Sequence, residues 1–305
     1  MRIIFAGTPE VAVPTLRELH EAGHNILRVL TREDAPQGRK RTLTPSPVAV
    51  AAEELGLEIV KANRISEDTL EKLAASEADV GVIVAYGGLL REPVLSAPEH
   101  GWVNLHFSTL PKWRGAAPVQ RAIMAGETDL GMTVFRLVEE LDAGPILAQG
   151  SHTVASGTTA GTALKELSEA GTSLVLDALE NIAHSRGQEQ QGSTSYAHKL
   201  SRADGKLDVT WGTEHIVNVF AGVSPNPGAY FDTLAGALKI HDMRILHDAE
   251  TADSEEVGTA KLVQNRVLLT VADGHIELLR VQPAGKPAME AAAWLRGRGG
   301  VISLV

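Results

Sequence analysis

The chain has 305 residues, 44% hydrophobic and 22% charged, with a mean hydropathy of −0.02. This is the composition of a soluble globular protein with room for two ordinary domains. Cysteine is absent, which excludes a disulfide scaffold, thiolate metal sites, iron–sulfur clusters and cysteine nucleophiles. The net charge of −10, from 28 Lys+Arg against 38 Asp+Glu, argues against a global positive field for nucleic acid, so such a partner has to be sought in local patches.

No run reaches the roughly 18–20 apolar residues of a membrane helix, and the opening MRIIFAGTPE has too few for a signal h-region. A cytoplasmic protein is expected. Residues 2–6 (RIIFA) predict a strand that ends in the turn Gly7-Thr8-Pro9. A helix follows over 10–22, with Val11, Val13, Leu16 and Leu19 near helical spacing and Gly23 as its stop. Residues 25–30 predict a second strand. Ser46-Pro47 opens a helix through Leu55, and 79–85 (DVGVIVA) and 102–106 predict two more strands. This alternation implies βαβ units and a mostly parallel sheet.

Beyond residue 156 the pattern changes. Residues 159–183 predict a long amphipathic helix, whereas 185–196 (SRGQEQQGSTSY) are polar and aperiodic, the composition of a linker. Short β-like runs at 228–231, 236–241, 257–263, 266–272 and 275–282 then predict a small β domain, read as a barrel. The expected division is a catalytic domain over 1–185, a linker over 186–206 and a second domain over 207–305.

The first turn is neither G-x-G-x-x-G nor a phosphate loop with its lysine, so it reads as a tight strand-to-helix turn. The segment Asn104-Leu105-His106-Phe107-Ser108-Thr109-Leu110-Pro111 carries more. It ends a predicted strand, where open α/β sheets place their ligand crevices. Strand alternation puts Asn104 and His106 on one face, and an amide beside an imidazole suits a tetrahedral oxyanion. Asp142, in LDAGP, reads first as a turn residue; close to His106 it would fix the ring tautomer and raise the ring's pKa, favouring the charged imidazole as donor. The other ten histidines show no metal-ligand spacing, and no serine sits in G-x-S-x-G.

Positive charge gathers at Arg39-Lys40-Arg41, within the long loop from Thr31 to Ser46. Three cations on a Gly-flanked loop suit phosphate contact, and a solvated surface run partly offset by Glu33 and Asp34 is the alternative. From Leu207 to Val305 there are 8 Lys+Arg and 12 Asp+Glu, a balance of −4.

Asn104-x-His106, Ser108-Thr109-Leu110-Pro111, Trp113-Arg114-Gly115-Ala116-Ala117-Pro118 and the downstream LDAGPIL resemble the signature of the folate-dependent formyltransferases. FAGTPEVAVPTL, PQGRKRTLTPSPV, PNPGAYF and VQPAGKPAMEAAAWLRGRG extend the resemblance over nearly the whole chain, to the formyltransferases that act on methionyl-tRNA. The resemblance implies a Rossmann-like N-terminal domain and an OB-like C-terminal barrel. It also implies 10-formyltetrahydrofolate as formyl donor, methionyl-initiator tRNA as acceptor and no metal, with a monomer and no membrane partner expected. Carried over by position, Asn104, His106 and Asp142 are catalytic, Ser108, Thr109, Leu110 and Pro111 bind the folate, and Arg39, Lys40 and Arg41 contact the tRNA. The run 84–90 (VAYGGLL) aligns with the pterin pocket. Thr109, Arg91 and Ala221 depart from the pattern, which has Leu, Pro and Arg there. The same chemistry on another amine, such as an amino sugar nucleotide or a purine intermediate, is the alternative, and a non-catalytic tRNA- or folate-binding protein is a third reading. A sugar acceptor leaves the basic loop and the C-terminal motif unexplained, a purine acceptor does not require the second β domain, and the non-catalytic reading leaves Asn104, His106 and Asp142 without a role.

Overall fold

The computed structural model describes residues 1–38, 40–88, 90, 92–246 and 256–305. Arg39, Leu89, Arg91 and His247, singled out above, lie outside the described residues. In chain order the first half forms β1 (Arg2–Gly7), α1 (Val13–Glu21), β2 (Asn25–Thr31), β3 (Ala35–Gln37), β4 (Thr42–Thr44), α2 (Pro47–Glu54), β5 (Ile59–Lys61), α3 (Glu67–Ala74), β6 (Val80–Val84) and β7 (Trp102–His106). Then come β8 (Arg114–Gly115), α4 (Pro118–Met124), β9 (Asp129–Arg136), β10 (Ile146–Thr153), α5 (Ala160–Glu180) and β11 (Tyr196–Ala197).

The large sheet has the order β10-β9-β7-β6-β1-β2-β5. Five strands run parallel, and β9 and β10 complete the edge antiparallel. The parallel strands carry near-continuous apolar runs because both of their faces are covered: Ile3, Ile4, Phe5 and Ala6 of β1 are fully buried. The chain leaves β1 for β2 on one side and β6 lies on the other, so the strand order reverses beside β1. That is where doubly wound sheets open a crevice at their strands' carboxyl ends. The expected Rossmann-like, mostly parallel fold is present. The helix predicted over 10–22 starts as a single 3-10 turn at Glu10–Ala12 before α1, since Pro14 is accommodated only in a first turn.

The remaining elements are α6 (Thr213–Val223), β12 (Ala229–Phe231), β13 (Leu238–Leu246), β14 (Thr259–Val263), β15 (Arg266–Val271), β16 (Gly274–Gln282), β17 (Met289–Glu290), α7 (Ala291–Arg296) and β18 (Val301–Ser303). They form an antiparallel half-barrel sheet of order β12-β13-β16-β15-β14-β18, with β17 on β16. One face, including Phe231, Ile240, Leu269 and Leu278, closes a core with Ile216 of α6 and Trp294 of α7.

Two compact units interleave along the sequence: Met1–Gly115, Asp129–Thr153 and Leu164–Tyr196 make one, and Ala116–Thr128, Val154–Ala163 and Ala197–Val305 the other. Thus α4 belongs with α6, and a methyl group on Gly222 of α6 would stand 2.4 Å from Met124 Cγ. Ala221 is fully buried, so this position, where the family pattern has an arginine, contributes to a core. Among the described residues no helix is long and apolar enough to cross a membrane.

Candidate active site

Strand β7 places Asn104 and His106 on one face. Asn104 faces Phe135 of β9, His106 faces Thr133, and Thr133 in turn faces Gln149 of β10. The half-buried Asn104 amide makes no hydrogen bond among the described residues, so its N–H donors are available to a ligand. His106 is 6% exposed. Its Nε2 lies 2.9 Å from the Trp113 carbonyl, which can only accept. The ring therefore carries a proton on Nε2, and Nδ1 faces Asp142, 3.8 Å from Oδ2.

Sequence separates Asp142 from His106, and the fold brings them together. Gly144 makes this possible, because a Cβ there would sit 1.8 Å from the Arg136 carbonyl, so only glycine lets the 142–144 turn close against the end of β9. Asp142 has φ 48° and Trp113 φ 61°, left-handed conformations that persist in non-glycine residues only where the surroundings enforce them. The Asp142 Oδ2 accepts the Gly115 N–H at 2.7 Å.

The expectation that Asp142 keeps His106 charged is corrected here. Asp142 and the Trp113 carbonyl do pull the imidazole pKa up, but burial outweighs both and holds it below the ordinary 6.5. The shift favours the neutral ring.

The 108–111 loop is fixed by side chains that the sequence did not single out. The Thr133 hydroxyl donates to the Ser108 carbonyl at 2.6 Å and accepts the Leu110 N–H at 3.2 Å. Gln149 donates to Thr133 Oγ1 at 2.9 Å and to the Leu110 carbonyl at 3.3 Å. Ser108 Oγ donates to the Lys112 carbonyl, and Ser108, Leu110 and Pro111 are buried while Thr109 is exposed. Toward a ligand the loop therefore offers the Thr109 side chain and backbone groups. Beside it, the 85–88 segment is tied down by Thr8 Oγ1 donating to the Tyr86 carbonyl and Tyr86 Oη donating to the Ala62 carbonyl, each at 2.8 Å.

The loop between Thr31 and Ser46 is a short hairpin, β3 against β4, whose ends are pinned by a buried Thr31–Ser46 hydroxyl pair at 2.7 Å. Lys40 and Arg41 are exposed at its turn, with no ion pair among the described residues. Asp34 pairs with Lys61 and Glu33 accepts from Asn63, so the acids named as offsets are engaged elsewhere.

Comparison with known proteins shows the family of the chain. The family models described as "Formyl transferase" and "Formyl transferase, C-terminal domain" match residues 1–179 and 199–299. A methionyl-tRNA formyltransferase of Leifsonia xyli subsp. xyli is 47% identical over 302 residues, and one of Clavibacter michiganensis subsp. michiganensis is 46% identical over 299. The alignments cover 98% and 97% of this chain respectively, and the same shares of those proteins. Among solved structures, HypX from Aquifex aeolicus in complex with tetrahydrofolic acid matches with TM-score 0.65 at 17% identity, over 97% of this chain and 47% of that one. This chain thus spans about half the length of that protein. Methionyl-tRNA formyltransferase from Clostridium thermocellum matches with TM-score 0.60 at 15% identity, over 83% of this chain and 97% of that one. With both family models matched and relatives nearly half identical along the whole length, the chain belongs to the formyl transferase family, a family of formyl-transferring enzymes.

Proposed function

We propose that the protein transfers the formyl group of 10-formyltetrahydrofolate to the α-amine of methionyl-initiator tRNA, giving N-formylmethionyl-tRNA for translation initiation in the cytoplasm, and that it acts as a monomer. The observation that carries the chemistry is the convergence of the unengaged Asn104 amide, the buried His106 and Asp142 at the end of β7. The acceptor rests on the full-length relatives and on the exposed cations of the β3–β4 hairpin. We assign catalysis to residues 1–185, tRNA contacts to 207–305 and to Arg39, Lys40 and Arg41, and the folate to the loop Ser108, Thr109, Leu110 and Pro111.

The amine nitrogen attacks the formyl carbon, and the carbonyl π pair moves to oxygen. The Asn104 amide donates to that oxyanion, an effect worth about 3–4 kcal/mol for one strong donor. The attacking nitrogen must lose a proton, and neutral His106 has its free lone pair on Nδ1 to receive it, directly or through Asp142. The imidazolium so formed is stabilised by Asp142 and adds positive charge beside the oxyanion. Collapse re-forms the carbonyl and breaks the C–N10 bond, and the proton held by His106 leaves with N10.

A formylation assay with 10-formyltetrahydrofolate tests the whole reading, comparing methionyl-initiator tRNA, methionyl-elongator tRNA and free methionine. Transfer to the initiator species alone is expected. Asn104→Ala and Asp142→Ala should each cost about 10²–10³ in kcat with little change in KM. Transfer to an amino sugar nucleotide and to none of the three would overturn the acceptor, and near-normal turnover in either variant would remove that residue's role.

A further inference from the structure

The polar segment 185–196 reaches into the site through the side chains of Ser195, whose Oγ accepts the Trp113 N–H at 2.9 Å, and of Gln190. The Gln190 Nε2 donates to the Asp142 carbonyl at 2.7 Å and to the Gly144 carbonyl at 2.9 Å. Its Oε1 accepts from Arg114 Nη2 at 2.7 Å and from Arg114 Nε at 3.2 Å. Arg114 is 8% exposed, and its other contact, Nη1 to Glu140 Oε1 at 3.0 Å, is to a side chain that is 73% exposed. The Gln190 oxygen is thus the better shielded of the two side-chain partners among the described residues, and a buried guanidinium needs such an acceptor.

We propose that Gln190 is a positioning residue for formyl transfer, holding the left-handed 142–144 turn so that the Asp142 carboxylate stands opposite His106. Asp142 is gripped at both ends, its carbonyl by Gln190 and its carboxylate by the Gly115 N–H. The two grips meet at adjacent residues, because Arg114 orients Gln190 and Gly115 is its chain neighbour. Only a side chain that accepts at one atom and donates at another can do this. A carboxylate would satisfy Arg114 but repel the two carbonyls, and an ammonium would do the reverse. The inference rests on the reading of Asp142 and His106 given above.

The test compares wild type, Gln190→Glu, Gln190→Met and Asp142→Asn by melting temperature, by kcat and KM for both substrates, and by NMR titration of the His106 ring. Gln190→Glu keeps the acceptor for Arg114, so the fold is retained. Its kcat should nevertheless fall about 10- to 100-fold, as expected for a group displaced by about an ångström, with both KM values within about twofold. In Gln190→Met, which adds no charge, the His106 midpoint should move further down, because the receding carboxylate no longer raises it. Gln190→Met, of similar size, should repeat the loss of kcat with a lower melting temperature, because Arg114 loses its shielded acceptor, and it is assayed below that temperature. A kcat within about twofold of wild type in Gln190→Glu, or a lowered kcat with the His106 midpoint unmoved in Gln190→Met, overturns the proposal. Wild-type turnover in Asp142→Asn would sink the underlying reading whatever Gln190 does, whereas a slow Asp142→Asn beside a normal Gln190→Glu removes only Gln190.

Discussion

His106 Nδ1 and Asp142 Oδ2 stand 3.8 Å apart, with the two side chains 7% and 11% exposed, yet burial lowers the imidazole pKa by more than the neighbouring carboxylate raises it. The separation exceeds a hydrogen bond, so the carboxylate acts through its field. That field matters most after His106 has taken up a proton, when a cation would otherwise be stranded in a poorly solvated place.

The rate should therefore depend on pH with a particular sign. If neutral His106 is the proton acceptor, kcat is flat at neutral pH and falls on the acid side, with its midpoint below the ordinary 6.5. Asp142→Asn removes the group that raises the ring pKa and should shift this midpoint lower still. A pH–rate profile in saturating substrates reads both effects. Turnover that rises as pH drops through 6.5 would make the imidazolium the working form instead.

How much of this was legible in the sequence follows from what each signal requires. The apolar runs of β1 and β6 and the strand end at Asn104 and His106 read directly, because fully covered parallel strands write continuous hydrophobicity into the chain. The edge strands β9 and β10 were not read. In β10 half-buried and exposed residues alternate with no apolar face to mark it, and β9 mixes Gly131, Thr133 and Arg136 among its apolar positions. Gln190 was hidden for a different reason: a polar side chain bonded to backbone carbonyls distant in sequence leaves no periodicity behind. The direction of the His106 shift is not legible in the sequence, because a neighbouring acid is visible in a motif and burial is not.

Stability should carry the same signature. A folded-state pKa below the unfolded one means that the unfolded chain binds more protons between the two values. The contribution is fully present above 6.5 and is lost as pH falls from there toward the folded value of His106. Asp79, Asp204, Asp208 and Glu277 are also lowered, but from 3.8 or 4.5, so their losses begin in a more acid range. His24 shifts in the same direction as His106. In His106→Gln, denaturant unfolding at a series of pH values should give a shallower decline just below 6.5, with the residue due to His24. An unchanged decline would mean that His106 does not titrate differently on folding.

Gly131 of β9 supports the 108–111 loop by what it lacks. A Cβ there would lie 1.9 Å from Thr109 Oγ1 and 2.3 Å from the Thr109 backbone nitrogen. The hydroxyl can rotate away, whereas the backbone can yield only by moving the loop. Gly131→Ala should cost about 1–3 kcal/mol of stability and raise KM for the folate substrate more than it lowers kcat. Thermal melts and donor titrations check the two parts, and a folate KM equal to wild type would show that the loop does not need this approach.

The last expectation concerns the hairpin of β3 and β4. Thr31 and Ser46 clamp its base, the nearby acids Glu33 and Asp34 are occupied by Asn63 and Lys61, and Lys40 and Arg41 stand exposed without ion pairs among the described residues. Unpaired cations on an anchored turn release counterions only if they meet phosphates. Neutralising Arg39, Lys40 and Arg41 together should weaken tRNA binding and flatten the slope of log K against log salt by about two to three, at roughly 0.9 per duplex or 0.7 per single-strand contact. Folate KM should not change, since these residues are assigned to the nucleic acid alone. Filter binding of initiator tRNA across a salt series reads the slope. An unaltered slope would make the three cations solvated surface and move the tRNA contacts to other parts of the chain.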